Sequence, residues 1–330
     1  MDLSTRYLGL TLAHPLMTGA SPMVDRLDLV KRLEDAGASA ITMHSLFEEQ
    51  IAMEQRATVH HMEAHAESYA EALSYFPDPS DYNLGPDEYL EQIRRIKAAV
   101  DLPVIASLNG STGRGWIEYA RMMEQAGADA LELNVYYLAT DVDETGLAIE
   151  DRVVAISRSV KEAVAVPVTV KLSSFFSSIA NIAKRLEEAR LDGVVLFNRF
   201  YQPDIDVETL EVAPRLRLSD PSELLLRVRW LAILSGRLKL DLACSGGVHS
   251  GLDAIKAVMA GASGVQLVST LLHHGPDQLK KIREEMVRWM EDHEYESMQQ
   301  MLGSMSLLRC PDPAAFERAN YTRILQTWRV

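Results

Sequence analysis

At 330 residues, 47% apolar and 24% charged, the chain is long enough for one closed α/β barrel with insertions, which takes roughly 250 residues, and its composition excludes disorder. Lys plus Arg total 33 against 47 Asp plus Glu, a formal charge of −14, so the basic face that a nucleic-acid partner requires is excluded. The two cysteines, Cys244 and Cys310, fall short of the thiolates an iron–sulfur cluster takes, and no apolar run approaches the about 18 residues of a membrane span, which reads as a cytoplasmic chain with reduced thiols.

Short β-branched runs alternate with amphipathic stretches, the pattern of a parallel sheet with crossover helices. In chain order the predicted strands are Leu16–Gly19, Ala40–His44, Val104–Leu108, Ala130–Asn134, Val168–Leu172, Gly193–Asn198, Leu240–Ser245 and Gly264–Val268. Each precedes a predicted helix: Leu27–Ala36, Pro86–Val100, Trp116–Ala126, Ile149–Val164, Ile179–Ala189, Pro221–Leu234, Gly251–Ala260 and Pro276–Trp289. Three helices end in related phrases, EDAGASA, EQAGADA and VMAGASG, where Gly suits a left-handed C-cap. EARLDGV keeps the form, with Arg190 and Leu191 replacing the glycine. Eight strand–helix units, without a Gly-rich dinucleotide turn after the first strand (GASPMVD), favour a (β/α)8 barrel over a doubly wound sheet.

The expected organisation is one domain over residues 1–330. It carries an insertion at 47–85 after the second strand and a helical C-terminal extension at 291–330. The insertion is a candidate lid or substrate wall, or else peripheral packing or a dimer contact.

The segment ACSGGVHSGLDAIKAVMAGASGVQLVSTLLHHGP places Gly246 and Gly247 after the seventh strand, and Ser269 and Thr270 after the eighth. Backbone N–H groups there can converge on a phosphate. VPVTVKLSS sets Lys171 at the end of the fifth strand, where it faces an anion or a salt-bridge partner. Ser21, His44, Ser45, Asn109, Asn134 and Asn198 sit at other strand ends. Each could be a turn residue, but amides, as donors and acceptors together, suit a flat heterocycle with carbonyls and ring N–H groups. His60, His61 and His65 lie on a predicted helix, and His61 with His65 has i, i+4 spacing but no third ligand, so they are read as a helix face and no metal is expected.

The stretches GASAITMHSLF, ADALELNVYY, PVTVKLSS, DGVVLFNRF and, most diagnostically, CSGGVHSGLDAIKAVMAGASGVQLVST resemble the second, fourth, fifth and sixth strands and the two phosphate strands of the dihydroorotate dehydrogenase family. The resemblance implies an FMN-dependent oxidoreductase that passes hydride between a small substrate and flavin N5. It implies that Ala20, Ser21 and Ser45 touch the flavin and that Lys171 stabilises the reduced ring. Asn134 and Asn198 would reach flavin or substrate, and Gly246, Gly247, Ser269 and Thr270 the phosphate. The sequence departs from the family at three places. Tyr137 stands at the position of the Cys or Ser base, His44 at that of a Lys, and Arg199 at that of a small hydroxyl residue.

A phenol with a pKa of about 10 is a poor general base at neutral pH, so proton transfer is assigned to Tyr137, Tyr136 or His44, and Arg199 is either an anion partner for the substrate or a surface ion pair. A homodimer and an electron-transfer partner protein are expected. A barrel lyase or aldolase using Lys171 as a Schiff-base amine, and a flavoprotein relay without turnover, stay open as alternatives.

Overall fold

The computed structural model describes residues 1–50, 85–110, 115–135, 137–199, 202–213, 217–316 and 325–327. Most of the predicted insertion, including His60, His61 and His65, lies outside them, as does Tyr136.

Two short strands, β1 (Thr5–Tyr7) and β2 (Leu10–Leu12), form an antiparallel hairpin. The barrel strands follow as β3 (Leu16–Thr18), β4 (Ile41–Phe47), β5 (Val104–Gly110), β6 (Ala130–Val135), β7 (Val168–Leu172) and β8 (Gly193–Leu196). A second hairpin, β9 (Asp204–Asp206) with β10 (Glu211–Ala213), interrupts the series before β11 (Asp241–Ser245) and β12 (Gly264–Leu267).

One eight-stranded sheet runs β3-β12-β11-β8-β7-β6-β5-β4 with every registered pair parallel. Its two ends meet. Ser39 N and Oγ both donate to Leu16 O at 3.0 and 2.6 Å. Thr18 N donates to Ala40 O at 3.2 Å and Thr42 N to Thr18 Oγ1 at 3.0 Å. The architecture is the expected (β/α)8 barrel.

Around it pack α1 (Leu27–Asp35), α2 (Pro86–Ala99), α3 (Trp116–Gln125), α4 (Gly146–Ala163), α5 (Ile179–Glu188), α6 (Leu224–Leu234) and α7 (Gly251–Ala260), then α8 (Ser269–His274), α9 (Asp277–Asp292) and α10 (Met298–Met301). Local chemistry sets their ends. Ser250 and Asp253 form a reciprocal capping box at the start of α7, which satisfies two backbone donors that a helix leaves open. The repeated helix-ending phrase places Gly37, Gly127 and Gly261 at φ +87, +103 and +121°, and Arg190 takes the same position at φ +66°. After α10 the chain crosses two helix ends: Gly303 N and Met305 N donate to Val258 O and Met259 O at 3.0 and 2.9 Å, and Leu307 N to Ala232 O at 2.9 Å. Carbonyls that a helix terminus leaves unpaired are thereby satisfied.

The barrel interior is layered. At its N-terminal end the first hairpin acts as a plug: Tyr7, Leu8 and Leu12 are buried against Met17, Ala40, Ile105, Ala130, Val195 and Ala243. Three of the barrel residues there, Ala40, Ala130 and Ala243, are alanines, which leaves room for the Tyr7 ring. A Cβ on Gly264 would meet Met17 at 2.5 Å. Leu8 N donates to Asp241 Oδ2 at 2.6 Å and Thr5 Oγ1 to Ser263 O at 3.1 Å, which ties the plug to the last strands. Above it lies a polar layer, and above that the open C-terminal end.

Candidate active site

The strand ends enclose a cavity of about 340 Å³ that brings together Ala20, Ser21, His44, Ser45, Asn109, Asn134, Lys171 and Asn198. Pro22, Asp25, Phe47 and Gln50 complete its lining and were not singled out from the sequence. Its volume lies in the range of small-molecule sites.

Lys171 forms the floor. Its Nζ lies 3.2 Å from Glu132 Oε1 and 2.9 Å from Gln266 Oε1, and Gln266 Nε2 donates to Glu132 Oε2 at 2.5 Å. These residues come from β7, β6 and β12, which are not all neighbours in the sheet, so they meet across the barrel interior. Glu132 is fully buried and Gln266 nearly so. A buried ammonium is tolerated when a carboxylate and an amide oxygen receive it, and the remaining face of Nζ is turned to the cavity.

One wall depends on an irregularity in β4. The β4–β5 register shifts between Thr42 and Ser45: Thr42 pairs with Ile105, but Ser45 pairs with Ser107. The extra residue breaks the alternation of a regular strand, so the consecutive residues His44 and Ser45 both face the cavity. Ser45 Oγ and Ser107 Oγ are 2.8 Å apart, and Asn134 Nδ2 donates to both, at 2.9 and 2.8 Å. This leaves the buried Asn134 Oδ1 without a partner. His44 Nδ1 lies 2.5 Å from Asp25 Oδ1. The Tyr89 ring stands edge-on to the imidazole at 5.0 Å, and its hydroxyl donates to His44 O at 2.9 Å. Burial pushes the Tyr89 phenol far above its usual range, so it serves here as a neutral donor.

At the ends of β11 and β12, Gly246 and Gly247 take φ +92 and +81°. A Cβ on Gly247 would sit 2.5 Å from Leu224 N, so only glycine fits this turn. Ser219, which no sequence motif marks, joins the two strand ends. Its N–H donates to Ser269 Oγ at 3.0 Å, and its Oγ lies 2.8 Å from Ser269 Oγ and accepts from Gly247 N at 3.2 Å. Thr270 Oγ1 is buried beside them with no partner. Arg227 runs beneath the loop, Nε donating to Ser245 O at 3.0 Å, and burial lowers its guanidinium pKa.

Gly246, Gly247, Ser269 and Thr270 stand beside the cavity rather than in its lining, and Arg199 and Tyr137 also fall outside it. Arg199 Nη1 lies 3.3 Å from Glu223 Oε1. Tyr137 donates its hydroxyl to Glu144 Oε2 at 2.5 Å, and Arg152, itself paired to Glu144, lies over the Tyr137 ring at 4.6 Å. Among the described residues there is no group of His, Cys, Asp and Glu able to hold a metal and no helix long and apolar enough to cross a membrane.

A closed parallel barrel with a polar cavity at the C-terminal strand ends defines a barrel enzyme, since that face carries the chemistry of this fold. Residues 81–290 match the family model of dihydroorotate dehydrogenase. The catalytic subunit of dihydroorotate dehydrogenase B (NAD(+)) from Thermoplasma acidophilum is 30% identical over 308 residues, covering 92% of this chain and 98% of the relative. The subunit of the same name from Methanocaldococcus jannaschii is 28% identical over 302 residues, covering 88% and 94%. That from Geobacillus kaustophilus is 33% identical over 192 residues, covering 56% and 60%. The chain belongs to the dihydroorotate dehydrogenase family, flavoprotein oxidoreductases that act on a CH–CH bond.

Proposed function

We propose that the protein is a single-domain, FMN-dependent catalytic subunit that oxidises a CH–CH bond in a small, flat, carbonyl-bearing or anionic ring of the dihydroorotate kind. The observation that carries this reading is the cavity itself: a buried ammonium at its floor, amides and hydroxyls around its rim, and a tight glycine turn at the adjacent strand ends. The residues fit FMN. Thr270 Oγ1 and Asn134 Oδ1 are buried polar atoms in want of a partner, which costs free energy until a ligand supplies one.

In this reading Gly246, Gly247, Ser269 and Thr270 hold the phosphate, and Ala20, Ser21, Ser45 and Asn109 hold the ring. Lys171 faces its electron-rich edge, while Asn134 and Asn198 orient the substrate and Arg199 guards the rim. When bound, FMN supplies a two-electron acceptor for hydride. The protein's own contribution is to orient substrate, exclude water and accept a proton. Relatives carry the name of a catalytic subunit, and we place this chain likewise, as a cytoplasmic homodimer passing electrons to a partner protein. Family membership favours this assignment over a Schiff-base lyase.

The test is the visible spectrum of the purified protein, followed by anaerobic addition of dihydroorotate. Flavin absorbance that bleaches supports the reading. Flavin that persists redirects the substrate to another reducible or oxidisable ring, and protein that neither carries nor takes up FMN overturns it.

A further inference from the structure

The reaction proposed above releases a proton as well as a hydride, and among the described residues the cavity places one imidazole–carboxylate pair where a proton carrier is needed. His44 reaches the cavity because of the irregularity in β4, and bulges beside active sites re-aim side chains in this way. Its ring is held on two sides, by Asp25 Oδ1 at 2.5 Å from Nδ1 and by the edge-on ring of Tyr89. Its main chain is held by the Tyr89 hydroxyl, which also accepts from Ser107 N at 2.9 Å. The His44 and Asp25 side chains are only 18% and 12% exposed. The Asp25 oxygen beside Nδ1 lies off the line of a hydrogen bond; a small turn of the ring gives Nδ1 this carboxylate as acceptor and leaves Nε2 to meet a substrate, the arrangement in which a carboxylate selects the tautomer and stabilises the charge formed when Nε2 takes a proton. Among the described residues the charged groups lining the space are Asp25 and Lys171, with the neutral Tyr89 phenol behind the ring. Tyr137 is engaged elsewhere, its hydroxyl on Glu144 and its ring under Arg152.

We propose that His44 is the acid–base residue of this enzyme and that Asp25 is its positioning residue. The inference rests on the reading of the site as a CH–CH oxidoreductase. In the oxidative direction a substrate C–H proton passes to His44 Nε2, and the electron pair of that bond becomes the new C=C bond. FMN, held by the residues named above, would supply the acceptor for the hydride that the adjacent carbon gives up. Two electrons leave the substrate, and the proton on His44 returns to solvent before the next turnover.

The experiment uses flavin-loaded protein in anaerobic stopped flow with dihydroorotate, together with 15N NMR of histidine-labelled protein. His44→Gln is expected to slow bleaching by about 100-fold or more, the usual yield of a positioned acid–base group, while its flavin absorbance is retained. Asp25→Asn is expected to lower the limiting rate by at least about 10-fold, with the half-saturating substrate concentration moving less than about 2-fold. In the same variant the Nδ1–H tautomer of His44, expected in the parent, is lost. Bleaching by His44→Gln within about 2-fold of the parent overturns the proposal, and so does a collapse in Tyr137→Phe with His44→Gln intact. Should His44→Gln shed its flavin, His44→Asn and the isosteric Asp25→Asn carry the same comparison. If dihydroorotate fails to bleach the parent protein, the substrate assignment above fails, and the tautomer alone then judges the pair: an Nε2–H tautomer in the parent refutes it.

Discussion

Replacing Lys171 with Met removes the cation from the floor of the cavity while leaving a side chain of similar length, so the effect isolates charge from packing. Glu132 is fully buried and has two partners, Lys171 Nζ at 3.2 Å from Oε1 and Gln266 Nε2 at 2.5 Å from Oε2. Two unit charges at that separation interact by about 5 kcal/mol at an effective dielectric of about 20, and breaking a buried pair from one side costs about 3–5 kcal/mol because the other charge is left without compensation. Lys171→Met should therefore destabilise the flavin-free protein by about 3–5 kcal/mol. The double variant Lys171→Met with Glu132→Gln should recover to within about 1 kcal/mol of the parent, since no charge is then stranded. The assay is urea unfolding followed by circular dichroism on protein stripped of flavin, read as a double-mutant cycle. A single variant that loses less than about 1 kcal/mol, or a double variant as unstable as the single, refutes the account of the floor as a closed ion pair.

Three further outcomes follow from the same structure. Gly247→Ala must push a Cβ to within 2.5 Å of Leu224 N at a backbone φ of +81°, so FMN affinity should fall at least about 10-fold by fluorescence titration; unchanged affinity would separate this turn from the phosphate. Arg190 occupies a left-handed position that glycine fills at the ends of three other helices, and relief of a strain of about 1–2 kcal/mol, partly offset by glycine's greater unfolded entropy, predicts that Arg190→Gly stabilises the fold by about 0.5–1 kcal/mol in chemical denaturation. His14 is buried with its imidazole on Gly37 O and Leu16 N, and burial pulls its pKa down to about 4. Above pH 6.5 both folded and unfolded forms are neutral there. As pH falls from 6.5 toward 4 the unfolded chain takes up the proton first, and roughly 3 kcal/mol of stability should be lost across that window, a slope that His14→Gln should flatten.

The parts of the fold that were legible are those governed by local chemistry. Val168–Leu172 and Gly251–Ala260 agree to the residue, the first a short β-branched run (VTVKL) closed off by Ser173 and the second bounded by a capping box and a glycine. Start points drifted where a cap replaced an apolar cue. The α4 helix begins at Gly146 rather than at Ile149, because Thr145 Oγ1 accepts from Ala148 N. Both hairpins escaped the reading. In the first, a two-residue turn uses Leu8 at φ +53° before Gly9, where Asn or Asp would have been the recognisable signal. In the second, Ile205 and Val212 face each other across the strands yet are exposed at 70% and 66%, so no burial pattern marks them.

The candidate site divides along the same line. Strand-end positions such as Asn109, Lys171 and Asn198 could be named because the barrel places every strand terminus on one face. Glu132, Gln266 and Ser219 could not, since their partners lie across the barrel or some 50 residues away. Nor could the inward turn of His44 beside Ser45, which a regular strand forbids and only the register shift allows.

The plug at the bottom of the barrel also sets a timetable for synthesis. Thr5 and Leu8 leave the ribosome more than two hundred residues before Ser263 and Asp241, the partners that tie this hairpin in place. At roughly 5–20 residues per second that is an interval on the order of 10–50 s, during which an apolar hairpin waits without its pocket. Nascent chains of this protein are therefore expected to engage holding chaperones through the Thr5–Leu12 hairpin, and to let go of them when the seventh and eighth barrel strands arrive.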